Sequence, residues 1–281
     1  MPRLTLADGR TLAYTDGDPD GRPVVLFHGA PGSRAFRPRA TETQAVGVRL
    51  ITFDRPGYDG SDAVADPTLL GAARDALELV DALGVGRFGV VAWSGGVPAA
   101  VATAFAAPER VTRLALVSGP GPLDEVPGGW EALGDYRRPT AEMARREPHR
   151  SARAISRHME PYLENPISFL GSRRGPDGAV FADPELGPML ERQVRAAIVP
   201  GPAGIAADLV AMWLPWGFAL SDVSVPTTVF HAALDAYNEA DALAYAARIP
   251  DARLVVWPDT GHLGVLTHWP EVLASDGEPA A

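Results

Sequence analysis

Six short apolar runs, most of them without polar alternation, constrain the fold of this 281-residue chain more than any other feature. Stretches long enough for helices separate the earlier runs: 69–84 has apolar residues every three or four positions, and 97–107 is apolar all round. Apolar strands interleaved with helices are typical of a parallel sheet covered on both faces. We therefore predict an α/β fold. The runs are VVLFH (24–28), RLITFD (49–54), FGVVAW (88–93), RLALVS (113–118), TTVFH (227–231) and RLVVW (253–257).

The strand pattern stops at the turn GPGP (119–122) and resumes only near residue 227. The intervening stretch is richer in Arg and Glu, and its periodicity predicts helices around 140–147, 151–164, 183–198 and 203–214. A helical insertion within an α/β sheet protein is best interpreted as a lid or cap. We predict two units: an α/β core over 1–119 and 216–281, and a helical cap over 120–215.

Composition restricts the partners and the compartment. The net charge is −10 and all 25 basic residues are Arg, which argues against nucleic acids and anionic membranes and favours a small-molecule substrate. The chain contains no Cys, which excludes disulfides, thiolate metal sites and a cysteine nucleophile. The first 14 residues lack the apolar segment of a signal peptide, and the longest apolar stretch, 203–220, contains Asp208 and Pro215. We expect a cytoplasmic protein with no membrane span.

The stretch VVAWSGGVPAA (90–100) predicts a nucleophile on a sharp turn from a strand into a helix. Such a turn strains the backbone of the nucleophile, here Ser94, and requires small residues two positions before and after it. Ala92 and Gly96 meet this requirement, and Ala92 replaces the first glycine of the G-x-S-x-G pattern. The alternative is that Ser94 only caps a buried helix.

A serine nucleophile needs a base, and the base needs an orienting acid. His262, flanked by glycines in PDTGHLG after the last apolar run, is the candidate base. Asp235 follows the preceding run, and one helix and one strand then return the chain to the same sheet edge before His262. The three side chains can therefore converge as a catalytic triad. Asp124, in the loop after RLALVS, is the alternative acid.

Two backbone N–H groups are expected to form an oxyanion hole, one from Gly95 and one from Ala30 in the loop VVLFHGAPGSR (24–34). His28 in that loop is interpreted as structural. Four residues are predicted to contact an apolar substrate group: Trp93, Met212, Trp213 and Trp216. The alternative for the last three is that they only pack the cap onto the core.

Two other motifs are rejected. GVGRFG (84–89) matches the dinucleotide pattern G-x-G-x-x-G, but it follows a helix and precedes a strand, which is the reverse of the required order. A phosphate-binding P-loop needs Lys, which the chain lacks. No group of His and carboxylate residues has metal-site spacing, so no metal is predicted.

These residues, in the order Ser, Asp, His, resemble the α/β-hydrolase superfamily in its cap-bearing branch. The resemblance covers nearly everything outside the cap. It implies a mostly parallel sheet of eight strands, catalysis through an acyl-enzyme and no cofactor. The loop at 53–62 is expected to border the pocket, with its individual residues structural. The matching motifs are HGAPGS (28–33), FDRPGYDGSD (53–62), AWSGG (92–96), PERVTRLALVSGPGP (108–122), DVSVPTTVFHAALD (222–235) and PDTGHLG (258–264).

The resemblance leaves several reactions open. Haloalkane dehalogenases and epoxide hydrolases of this superfamily carry Asp at the nucleophile position, whereas this chain carries Ser94. The HG-x-PG loop is similar to that of proline iminopeptidases, in which cap carboxylates bind an amino group; Glu160 or Glu164 could serve here. Our leading hypothesis is a serine hydrolase acting on a small, hydrophobic ester or thioester. The alternatives are aminopeptidase action, C–C bond hydrolysis, cofactor-free peroxidation and a non-catalytic binding protein on this fold.

Overall fold

A computed structural model describes residues 2–170, 175–235 and 239–275. Within these ranges the strands form one sheet in the order β1-β2-β4-β3-β5-β6-β7-β8. The pairs β1–β2 and β2–β4 are antiparallel, and every other neighbouring pair is parallel. The predicted sheet of eight mostly parallel strands is confirmed. Its strands are β1 (Arg3–Thr5), β2 (Thr11–Thr15), β3 (Arg22–Phe27), β4 (Val48–Phe53), β5 (Phe88–Trp93), β6 (Val111–Val117), β7 (Thr227–Ala232) and β8 (Ala252–Trp257).

Helices cover both faces of the sheet. In the described ranges they are α1 (Ala40–Ala45), α2 (Leu69–Ala82), α3 (Val97–Ala106), α4 (Gly129–Ala132), α5 (Gly134–Arg146), α6 (Pro148–Met159), α7 (Gly178–Ala182), α8 (Leu186–Ala197), α9 (Ala203–Trp213), α10 (Glu239–Arg248), α11 (Gly264–Thr267) and α12 (Trp269–Ala274). One apolar cluster joins the sheet to α2, α3 and α10, and a second joins its other face to α8 and α12. The central strand β5 is buried along its whole length, as expected for a strand covered on both sides.

The helices α4 to α9 lie between β6 and β7, inside the segment 120–215 that we call the cap. Helices α5, α6 and α9 pack around a separate apolar cluster that includes Ala144, Ile155 and Val210. Helix α5 begins at Gly134, earlier than predicted, and α6 ends at Met159 rather than continuing to Glu164, since a 3₁₀ turn over Glu160–Leu163 follows it. The division into core and cap stays a prediction.

The parallel strands bring their carboxyl ends to one edge of the sheet. Register pairs Trp93 at the end of β5 with Val117 of β6, and Ala232 at the end of β7 with Trp257 at the end of β8. Loops that follow these strands therefore meet above one edge, where ligands bind in open α/β sheets. No helix among the described residues is long and apolar enough to cross a membrane.

Candidate active site

Ser94 occupies a strained position between β5 and α3. Its φ of 53° is in the left-handed region that non-glycine residues rarely adopt, and such a conformation costs on the order of 1–3 kcal/mol. A 3₁₀ turn over Ser94–Gly96 leads directly into α3, which is buried over most of its length. The sequence thus folds locally into the strand–turn–helix predicted for a nucleophile.

Two glycines permit the close approach that this turn requires. A Cβ atom on Gly96 would lie 2.5 Å from the carbonyl oxygens of Phe27 and His28 at the end of β3. A Cβ on Gly95 would lie 2.5 Å from the Cβ of Ala30. The first glycine brings the start of α3 against β3, and the second brings Gly95 against the loop that follows β3.

The structure places the three predicted triad residues in one hydrogen-bonded chain. The distance between His262 Nε2 and Ser94 Oγ is 3.0 Å, and the distance between His262 Nδ1 and Asp235 Oδ2 is 2.7 Å. The Asp235 side chain is 1% exposed, whereas that of His262 is 36% exposed. A buried carboxylate that fixes one ring nitrogen leaves the other free to accept a proton from the serine.

The alternative acid has other partners. Asp124 pairs with Arg145 at 2.7 Å and accepts a hydrogen bond from the Trp130 indole, with a side chain 52% exposed. The hydrogen bond from Arg145 is the main reason that the pKa of Asp124 is lowered. The geometry therefore favours Asp235 over Asp124 as the partner of His262.

The loop after β3 places a second N–H group beside the nucleophile. A Cβ on Gly95 would lie 3.1 Å from Ala30 N, so these two predicted oxyanion donors are neighbours. In the described part of the chain, the N–H of Ala30 has no hydrogen-bond acceptor. His28 has a structural contact, as predicted: its Nδ1 lies 2.7 Å from the carbonyl oxygen of Gly29. Burial, followed by the charge of Arg55, holds the pKa of His28 well below its usual value, so the ring is neutral.

The cap contributes contacts to the site that the sequence interpretation missed. Asp208 of α9 pairs with Arg55 at 2.6 Å and accepts a hydrogen bond from the Tyr58 hydroxyl at 2.7 Å. Arg55 and Tyr58 belong to the loop after β4, whose residues were interpreted as structural. A signal was present, since Asp208 is the one charge in the otherwise apolar stretch 203–220. A carboxylate in a buried apolar stretch needs an oppositely charged or hydrogen-bonding partner.

Two further cap residues contact catalytic loops. Gln193 of α8 accepts a hydrogen bond from the Ser33 N–H at 3.2 Å, in the loop that contains Ala30. Asp177, directly before α7, accepts one from the Leu263 N–H at 3.0 Å, next to His262. Neither contact has a sequence signal, because each joins one side chain to a backbone N–H far away in the chain.

A cavity of about 350 Å³ lies between the core and α9. Its walls include Gly95 beside the nucleophile, Pro98 and Ala99 of α3, and Ala211 and Met212 of α9. Met212 thus lines a cavity next to the nucleophile, and its contact with a substrate stays a prediction. The small and apolar side chains in this wall are suited to an apolar group.

The three tryptophans that are predicted to contact a substrate do not line this cavity. Trp93 is buried beneath the histidine loop, where its indole donates to the His262 carbonyl at 3.0 Å and its ring stacks on Phe36. Trp216 packs in the core cluster and donates to the Met212 carbonyl. Trp213 borders a separate cavity of about 270 Å³ inside the cap. The geometry favours packing roles for Trp93 and Trp216, because burial leaves little of either ring for a substrate.

The cap carboxylates proposed for an amino group are on the surface. Glu160 and Glu164 are both exposed, at the 3₁₀ turn after α6. Among the described residues, no group of three or more His or carboxylate side chains could hold a metal ion.

Comparison with known proteins gives the family. The model of the alpha/beta hydrolase fold matches residues 22–268, and the chain belongs to the α/β-hydrolase family. The resemblance predicted from the motifs is thereby confirmed.

Three proteins that are similar to this chain have different named activities. The 2-hydroxy-6-oxononadienedioate/2-hydroxy-6-oxononatrienedioate hydrolase of Paraburkholderia xenovorans (strain LB400) is 33% identical over 161 residues, 51% of this chain and 54% of that protein. A proline iminopeptidase of Xylella fastidiosa is 33% identical over 40% of this chain and 37% of its own length. The structure of a thermophilic esterase from Thermogutta terrifontis has a TM-score of 0.68 and 26% identity, covering 98% of this chain and 96% of that one. The chain spans about half the length of the first of these relatives. Their names support the prediction that the chain is a hydrolase.

Proposed function

We propose that this protein is a serine hydrolase that cleaves a small, hydrophobic ester or thioester through an acyl-enzyme on Ser94. The observation that carries the proposal is the hydrogen-bonded chain from Ser94 through His262 to Asp235, on a strained turn beside the N–H groups of Ala30 and Gly95. A strained nucleophile with a base and a buried acid in this order is the arrangement used for acyl transfer.

Acylation begins when Ser94 Oγ attacks the substrate carbonyl and His262 Nε2 takes the hydroxyl proton. Asp235 accepts a hydrogen bond from Nδ1–H of His262. This contact selects the ring tautomer and stabilises the charged ring. The carbonyl oxygen becomes negative and is bound by the N–H groups of Ala30 and Gly95. His262 then gives the proton to the leaving alcohol or thiol.

Deacylation reverses these roles with water as the nucleophile. Water gives its proton to His262 Nε2, and its oxygen attacks the carbonyl carbon of the acyl-enzyme. The same two N–H groups bind the second oxyanion. Return of the proton to Ser94 Oγ releases the acid and regenerates the enzyme.

The cavity beside Gly95 supports a neutral apolar substrate group. Its apolar wall is formed by Pro98, Ala99, Ala211 and Met212. Its charged lining includes Asp75 paired with Arg10, and Asp208 paired with Arg55. Both carboxylates already hold a guanidinium partner, and the other two charged residues of the lining, Asp66 and Arg74, are exposed. The buried part of the cavity therefore offers an apolar substrate space without a strong net charge.

A second candidate is the hydrolysis of a C–C bond, supported by the name of the Paraburkholderia xenovorans relative. A dienedioate carries two carboxylates and needs cationic partners to be bound in a buried site. Of the two guanidiniums in the cavity lining, that of Arg10 is paired with Asp75, and that of Arg74 is exposed to solvent and lies near Asp8 and Glu78. The cavity therefore favours the ester over the dianion. Peptide substrates with a free amino group are also less favoured, since Glu160 and Glu164 are exposed.

A substrate panel tests this proposal. We expect p-nitrophenyl acetate and butyrate, and a butyryl thioester, to be hydrolysed by the wild type and not by Ser94→Ala. Prolyl p-nitroanilide and 2-hydroxy-6-oxononadienedioate should give much lower kcat/KM values. A higher kcat/KM for either of the last two than for every ester would overturn the ester assignment, as would equal ester turnover by Ser94→Ala.

We also propose a cytoplasmic location and a small-molecule substrate rather than a nucleic acid or membrane partner. The support is compositional: the chain has no Cys to be oxidised and a net charge of −10.

A further inference from the structure

The peptide group between Gly29 and Ala30 contains one of the two proposed oxyanion donors. Its bond is trans, so the carbonyl of Gly29 and the N–H of Ala30 point in opposite directions from one rigid plane. Any group that fixes the Gly29 carbonyl therefore also fixes the direction of the Ala30 N–H. The orientation of this plane decides whether the N–H meets the substrate oxygen.

Arg55 binds the carbonyl side of this loop. Its guanidinium donates to the carbonyl of His28 through one terminal nitrogen and to that of Gly29 through the other, the latter at 3.2 Å. The Arg55 side chain is 1% exposed, and His28 Nδ1 provides a second contact to the Gly29 carbonyl. A buried cation on a carbonyl also polarises the attached N–H, because hydrogen bonds in series strengthen one another.

Asp208 holds the guanidinium in this position along a neighbouring edge, through Nε and the same terminal nitrogen that donates to the Gly29 carbonyl. Its two carboxylate oxygens accept from Arg55 Nε at 3.1 Å and from a terminal nitrogen at 2.6 Å, which is a bidentate pair. Tyr58 donates to the same carboxylate. Burial is the largest single influence and would lower the pKa of Arg55, but the charge and the hydrogen bond of Asp208, together with Tyr58, outweigh it and the pKa is raised. The guanidinium therefore stays charged while it is buried.

We propose that Arg55 is a positioning residue for the oxyanion hole and that Asp208 couples this hole to cap helix α9. The chain of contacts runs from Asp208 through Arg55 to the Gly29 carbonyl, and from there across one peptide plane to the Ala30 N–H. A displacement of α9 away from the core would release Arg55 and with it the orientation of that N–H. This inference rests on the proposed function at Ser94.

The experiment compares Arg55→Lys, which keeps the charge but loses the planar fork, and Asp208→Asn, which weakens the pair. The control is Asp16→Asn, because Asp16 forms a similar bidentate pair with Arg49 away from the site, at 2.9 and 2.7 Å. Each variant is assayed with p-nitrophenyl acetate and with its thiono analogue, whose sulfur is a poor acceptor for oxyanion donors. Hydrogen exchange of the loop 28–33 is measured in parallel.

We expect both test variants to lower kcat for the oxygen ester by about 10- to 100-fold, a part of the effect of losing one donor, with KM nearly unchanged. The loss should be smaller for the thiono ester, and hydrogen exchange at 28–33 should rise relative to wild type and to Asp16→Asn. Equal losses for both esters with unchanged exchange would overturn the proposal, because a general defect does not discriminate between oxygen and sulfur.

The exchange measurement separates this proposal from the proposed function. If the wild type hydrolyses no ester, the proposed function fails, while faster exchange at 28–33 in Asp208→Asn still supports the coupling of α9 to the loop. Unchanged exchange in both test variants would overturn that coupling whatever the substrate.

Discussion

The core and the cap contribute to the same site by different means. In the core, Ser94, Asp235 and His262 each follow a parallel strand, so main-chain topology brings them to one edge of the sheet. In the cap, Asp208 and Gln193 reach the site as side chains on helices. We infer that the strand topology of the core positions the groups that carry the chemistry, and that side chains of the cap adjust their precision and the choice of substrate. Changes in the core should therefore affect kcat, and changes in the cap should affect selectivity, except at Asp208, whose loss should lower kcat through Arg55.

The largest effect should come from Asp235→Asn. Loss of the carboxylate leaves His262 with the wrong tautomer, and we expect kcat to fall by about 10⁴-fold with the fold intact. Circular dichroism and ester turnover provide the measurement. Asp124→Asn is the matched control and should keep its activity, because Asp124 pairs with Arg145 instead. The reverse result would make Asp124 the acid.

Removal of one oxyanion donor should have the next largest effect. Ala30→Pro lacks the N–H, and we expect a loss of about 10²- to 10³-fold in kcat for an ester. Ala30→Gly keeps the N–H and should retain most of the rate. If the two variants have equal rates, Ala30 is not a donor.

Gly96→Ala tests whether the close contact between α3 and β3 shapes the turn at Ser94. The added Cβ would meet two backbone carbonyl oxygens at 2.5 Å, and we expect a loss of about 1–3 kcal/mol in the free energy of unfolding, with reduced turnover. Gly86→Ala is the control, because no atom lies within 4 Å of its added Cβ. Denaturant unfolding of both variants gives the comparison. Equal stability would show that the turn tolerates a side chain.

The smallest effect on the chemistry should come from Met212, in the cavity wall formed by the cap. Met212→Ala enlarges the cavity beside Gly95, and we expect the kcat/KM ratio between longer and shorter acyl esters to change by about tenfold, with kcat for acetate nearly constant. Trp216→Phe, in the core cluster, should leave that ratio unchanged. A large loss of kcat for acetate in Met212→Ala would contradict the division of roles.

Prediction from sequence succeeded where a local pattern determines a position. Ser94 lies between a buried strand and a buried helix, and Asp235 and His262 each lie a few residues beyond a strand, so strand order alone predicts that they meet. The pair of Arg55 and Asp208 joins residues 153 positions apart, and the orientation of α9 decides whether it forms. The substrate contacts of Trp93 and Trp216 stay predictions made from residue type, and residue type does not tell how far each ring is buried, as the structure shows for both. The contacts between the cap and the site could therefore be identified only from the structure.

The role of Ser94 as the nucleophile is tested most directly by labelling with a fluorophosphonate probe, followed by intact mass measurement on wild type and Ser94→Ala. We predict one adduct per wild-type chain and none on the variant, because only a serine activated by His262 reacts readily. Absence of an adduct on the folded wild-type protein, or an adduct that persists in Ser94→Ala, would contradict the proposal that Ser94 is the nucleophile.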